Sequence, residues 1–126
     1  MASVLEKDIE RALDRMVRRN GGRCLKWVCP GWLGVPDRIC LLPGGRIYFV
    51  ETKRPEGGRL SEMQKKWCVW LHDLGFVHRF VFTHKDVKAL EIRIQATAPS
   101  RVTDATKAAL ARMGAEAHGG DADENL

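Results

Sequence analysis

Two β-forming runs, Asp37 to Leu42 (DRICLL) and Arg46 to Lys53 (RIYFVETK), are separated only by Pro43-Gly44-Gly45. A spacer this short is a tight turn, and its two glycines supply the positive φ that such turns require. The segment therefore reads as a β-hairpin. Pairing centred on Gly44 puts Asp37 opposite Glu51. Because side chains alternate along a strand, Glu51 and Lys53 share one face while Thr52 takes the other.

Helical spacing precedes the hairpin. Val4, Ile9, Leu13, Met16 and Val17 mark a first helix over about residues 4–19, with Ser3 as N-cap, Glu6 three residues on, and Asn20-Gly21-Gly22 as the stop. Cys24 to Val28 alternates weakly and ends at Pro30-Gly31, which predicts a short strand and a loop. After the hairpin, a polar, glycine-rich loop over 54–59 leads to Ser61 and Gln64, spaced as a capping box. Met63, Trp67, Trp70, Leu71 and Leu74 form one apolar stripe of a second helix over 61–74, closed by Gly75. Phe76 to Phe82 is β-rich, Thr83 can cap, and His84 to Ile94 is helical. The order α-β-β-β-α-β-α predicts an α/β fold, a mixed sheet flanked by helices with the second helix crossing back onto the sheet.

Two carboxylates held side by side repel, and both ionise only with a cation between them. A hard divalent ion meets that need. Mg²⁺ takes oxygen ligands, keeps several waters, acidifies one of them and offsets charge on a phosphate. Lys53 beside such an ion would orient the attacking water or stabilise the pentavalent phosphorus. Asp37, Glu51 and Lys53 thus read as metal-assisted phosphodiester hydrolysis. The plainer alternative is a surface aspartate with a cross-strand salt bridge.

GVPDRI, a Pro-Gly-Gly turn, FVETK and GGRLSEMQ follow one another over residues 34–64. In that order they resemble the VRR-NUC branch of the PD-(D/E)xK nuclease superfamily. The resemblance extends more loosely from the first helix to Phe82 and does not reach the tail. It implies an αβββαβ, restriction-endonuclease-like core and a DNA endonuclease dependent on Mg²⁺ or Mn²⁺. By that resemblance Asp37 and Glu51 are metal ligands with the Thr52 main-chain carbonyl as a third, and Lys53 is the catalytic lysine. Gln64 matches the family's glutamine near the active site, a role its capping box does not exclude. The family also uses a first-helix glutamate. Glu6 and Glu10 lie one turn apart on the same face, and Glu10 is the narrow choice. Stand-alone members suggest a homodimer acting on branched DNA, resolvase-like on four-way junctions. A flap, nicking or restriction-like nuclease of the same fold, or a DNA-binding module without catalysis, are the alternatives.

Charge agrees with an anionic partner. The 126 residues carry 21 Lys and Arg against 16 Asp and Glu, but residues 1–94 are net +7 and residues 95–126 net −2. Arg54, Arg59, Lys65 and Lys66, around the loop after Lys53, are preferred as DNA contacts over the basic face of the first helix formed by Lys7, Arg11, Arg15, Arg18 and Arg19. Trp32, in the loop before Asp37, is available to stack on a base. Residues 1–94 are expected to form the nuclease domain. Residues 95–126 read as an Ala- and Gly-rich tail, with a short helix around 104–113 and a disordered acidic end from Gly119. Cys24, Cys29, Cys40 and Cys68 lack zinc-ligand spacing, and MASVLEKDIERAL is charged where a secretion signal is apolar. Free thiols in a cytoplasmic setting are expected, with no membrane segment and no small-molecule cofactor.

Overall fold

Residues 3–98 and 104–117 are described by the computed structural model. Helix α1 (Glu6–Arg19) leads into β1 (Arg23–Lys26), β2 (Arg38–Leu42) and β3 (Arg46–Thr52); α2 (Glu62–Asp73), β4 (Val77–Val81), α3 (His84–Ala96) and α4 (Asp104–Ala117) follow. The strands lie in sequence order in one sheet, antiparallel from β1 to β3 and parallel between β3 and β4. A parallel pair needs a crossover, and α2 provides it. The hairpin register is the expected one, with Arg38 opposite Val50 and Leu42 opposite Arg46. Gly44 and Gly45 turn it at φ 84° and 71°.

One sheet face carries the core. Ile9, Leu13, Met16 and Val17 of α1 and Val87, Leu90 and Ile94 of α3 pack on Cys40, Leu42, Tyr48, Val50 and Val81. Each fully buried aliphatic side chain here is worth about 1.5–3 kcal/mol in burial. Between α1 and α3, Arg19 donates to both carboxylate oxygens of Glu91 at 3.0 Å. The four cysteines are free, with Cys40 buried.

Two expectations need correction. The N-cap of α1 is Leu5 rather than Ser3, and the short side chain of Asp8 reaches back to accept from the Leu5 N–H at 2.8 Å. Glu6 therefore sits in the first turn, free of a capping role. The α2 stripe is not one buried face: Leu71 is buried, but Trp70 is 43% and Leu74 72% exposed. The helix lies against β4 as an outer layer. Trp67 instead joins an edge-to-face cluster with Trp27, Trp32 and Trp70, with ring centroids 5.5–5.9 Å apart.

The caps of α2 and α3 form as expected. Ser61 Oγ accepts from the Gln64 N–H while Gln64 Oε1 accepts from the Ser61 N–H, and Thr83 Oγ1 accepts from the Asp86 N–H. Helix α4 covers the expected 104–113 and runs four residues further. The expected disordered end lies outside the described residues. Among those residues no helix is long and apolar enough to cross a membrane.

Candidate active site

The site forms where the hairpin's open end meets α1 and α2. Asp37 is the residue before β2, and its carbonyl accepts from the Trp27 N–H at 2.8 Å. Its carboxylate is held at both oxygens by Thr52, Oδ1 by the main-chain N–H at 3.0 Å and Oδ2 by the hydroxyl at 2.5 Å. Glu51 is 5% exposed and Lys53 half-buried, with Lys53 Nζ 3.8 Å from Glu51 Oε1. Gln64 Nε2 donates to that same oxygen at 2.9 Å. Gln64 is thus both half of the α2 capping box and a positioning contact for Glu51. The other oxygen, Glu51 Oε2, is buried with no hydrogen-bond partner.

Helix α1 adds two more carboxylates. Oxygens of Glu6, Glu10 and Asp37 lie within 4.8 Å of one another, so both first-helix glutamates reach the site. They differ in their company. Glu10 is tied to Arg38 Nη2 at 3.1 Å, whereas Glu6 lines an open depression with Lys53 and Arg54.

Burial and repulsion push these groups towards the neutral form. Burial, then the Asp37 charge, pushes Glu51 up to about 7 despite the opposing pull of Lys53. Burial also raises Asp37 against the two hydrogen bonds from Thr52, and it raises Glu6, with Glu10 adding to the effect. Crowded carboxylates with an orphaned buried oxygen are the donor set that a divalent cation satisfies. The residues present fit such an ion.

The structure brings Asp37, Glu51, Lys53, Gln64 and Glu10 together. Arg54 and Arg59 border the site on the loop after β3, while Lys65 and Lys66 are exposed on α2, Lys65 paired with Glu62 at 3.2 Å. Trp32 is 60% exposed in the preceding loop. Two roles escaped the sequence reading. Thr52 grips Asp37 through its N–H and hydroxyl, and the only sequence hint was its place between Glu51 and Lys53. Arg38 pairs with Glu10, and its charge favours the ionised form of Asp37; it was flagged only by following that aspartate directly.

No family model matches the chain. It is 49% identical over 55 residues to "Putative nuclease p44" of Acyrthosiphon pisum secondary endosymbiont phage 1, a match covering 44% of this chain and 59% of that protein. The chain thus spans about three fifths of that relative's length. A solved structure described as a VRR_NUC domain superposes with a TM-score of 0.64 at 23% identity, covering 75% of this chain and 97% of the other. The αβββαβ order, the mixed sheet and this superposition give the chain the fold of that VRR_NUC domain.

Proposed function

We propose that this protein is a divalent-metal-dependent endonuclease that hydrolyses DNA phosphodiester bonds. The observation that carries the reading is Glu51, a buried carboxylate with one oxygen unpartnered, facing Lys53 at 3.8 Å and sharing its neighbourhood with Asp37. Asp37 and Glu51 would hold Mg²⁺ or Mn²⁺, with the Thr52 carbonyl and a glutamate of α1 as further ligands. When bound, such an ion supplies an acidified water and offsets phosphate charge. Lys53 orients the attacking water and stabilises the negative charge that develops on the phosphoryl oxygens. Gln64 keeps Glu51 in its ligating rotamer, and Thr52 does the same for Asp37. Attack of the water oxygen on phosphorus breaks one phosphorus–oxygen bond to sugar and leaves a phosphate and a hydroxyl end.

The phage nuclease match and the VRR_NUC superposition support this reading. Four-way junctions are the proposed substrate and a homodimer the proposed assembly, since two sites related by a twofold axis suit paired cuts. Arg54, Arg59, Lys65 and Lys66 are proposed to meet the phosphate backbone and Trp32 an unstacked base. Residues 1–94 are proposed as the catalytic unit.

Labelled four-way junction, flap, splayed-arm and duplex DNA incubated with Mg²⁺ or Mn²⁺ test this. Wild type is expected to cut the junction best, with Asp37→Ala and Lys53→Ala slower by at least about 10²-fold, the scale of a lost charge-stabilising or acid–base group. Gln64→Glu, which retains the cap acceptor but sets a second carboxyl against Glu51 in place of the donor, should cut poorly. Equal cleavage by wild type and both alanine variants, or none by wild type with either metal, overturns the reading.

A further inference from the structure

The depression beside Lys53 has a volume of about 620 Å³, within the range of ligand-sized clefts. Its walls come from two elements distant in sequence. Lys53, Arg54 and Arg59 enter from the end of β3 and its following loop, and Lys7 from the first turn of α1. Glu6 is its single carboxylate, so positive charge dominates four to one. Among the described residues Lys7, Arg54 and Arg59 form no ion pair, whereas Lys65 is paired with Glu62 and Arg18 with Asp14.

Lys7 also stands on a boundary. It lines this depression and a second one of about 450 Å³, whose other charged walls are Arg11 and Arg38 together with Glu10 and Asp14. Glu6 lines the first and Glu10 the second, and both reach the Asp37 carboxylate. A phosphate chain entering the candidate centre would meet the net basic wall of the first depression, and Lys7 is the side chain common to both.

We infer that Lys7, Arg54 and Arg59 form a seat for a phosphate of the substrate next to the one that is cut, with Lys7 as its α1 wall. This rests on the nuclease reading. Pre-placed, unpaired cations on a tight loop and a rigid helix fix the register of the backbone, and register decides which phosphodiester bond meets Lys53. The class of ligand is a phosphate monoester or diester, from inside a strand or from its 5′ end.

Binding of fluorescent DNA to the full chain in Ca²⁺, titrated with KCl, reads the seat without turnover. Lys7→Ala and Arg59→Ala are each expected to lower the slope of log affinity against log salt by about 0.9 on duplex DNA, one contact each. Lys88→Ala, on α3 and outside the seat, should leave it unchanged. An Lys7→Ala loss that is equal on oligonucleotides with and without a 5′-phosphate assigns an internal phosphate; a loss confined to the phosphorylated one assigns a terminal phosphate. Wild-type slope and affinity in Lys7→Ala, with an unchanged melting curve, overturns the seat while leaving the nuclease reading intact. Weaker binding by Lys7→Ala from a wild type that cuts no DNA would keep Lys7 as a phosphate contact but remove the nuclease reading and, with it, the seat's place beside a cut bond.

Discussion

At Glu51, burial and neighbouring charge act in the same direction. The native pKa of about 7 against an ordinary 4.5 means that between those values the folded chain holds more proton than the unfolded one. Stability from this group is complete below about 4.5 and is lost as pH rises through 7, a change of about 3 kcal/mol. His78 works the other way. Burial holds it down to about 4, so its contribution grows with pH between about 4 and 6.5. The difference between two proteins isolates Glu51. In metal-free buffer, Glu51→Gln should match wild type near pH 4.5 and exceed it by about 3 kcal/mol at pH 8 in urea unfolding; a difference that does not grow with pH removes the buried-carboxylate account. Saturating Mg²⁺ should narrow the gap by stabilising only the protein that retains the carboxylate. Asp37, Glu51 and Lys53 were legible because the turn length sets the register and the register sets the faces. The grip of Thr52 on Asp37 was not, since it depends on where one main-chain N–H points after the strand leaves its ladder.

At the scale of elements, the loop from Trp27 to Pro36 connects the site's halves. Trp67 Nε1 of α2 donates to the Leu33 carbonyl at 2.9 Å, and Gly34, at φ 79°, presses against the start of α2. A Cβ there would lie 2.5 Å from Met63 Cβ and 2.9 Å from the Gln64 nitrogen. The glycine thus sets the distance between Asp37 on one side and Gln64 on the other. Gly34→Ala combines a left-handed φ with a steric clash, which together cost about 2 kcal/mol or more. The lost stability should appear in urea unfolding, and cleavage of the best DNA substrate should fall at temperatures where the variant remains folded. Unchanged stability and rate would mean that the loop and helix move apart freely. The order of elements and two of the three early caps were readable from apolar period and Ser/Thr placement. The α2 stripe misled because period reports an apolar face without saying what covers it, and here a loop of aromatics takes the part of a core.

The whole molecule is asymmetric about its sheet. One face is sealed by α1 and α3, while α2 lies over β4 on the other. Side-chain alternation puts Leu25, Leu41 and Ile47 on that second face, opposite the core positions Cys24, Cys40 and Tyr48. They are 48%, 41% and 37% exposed, alongside exposed Trp70 and Leu74 on α2. Clustered apolar groups on a small basic protein favour a partner over water, and a second copy of this chain provides a self-complementary one. If the proposed homodimer uses this face, sedimentation equilibrium at micromolar concentration should give twice the chain mass for wild type and the single mass for Ile47→Glu. The side chain is already part-exposed, so the variant should fold, with a melting temperature that no longer rises with protein concentration. Junction cleavage by the monomeric variant should yield single nicks instead of paired cuts, because each copy would then act alone. A dimer unaffected by Ile47→Glu would move the interface away from the sheet, and a monomeric wild type that still makes paired cuts would remove the two-site account of junction cleavage.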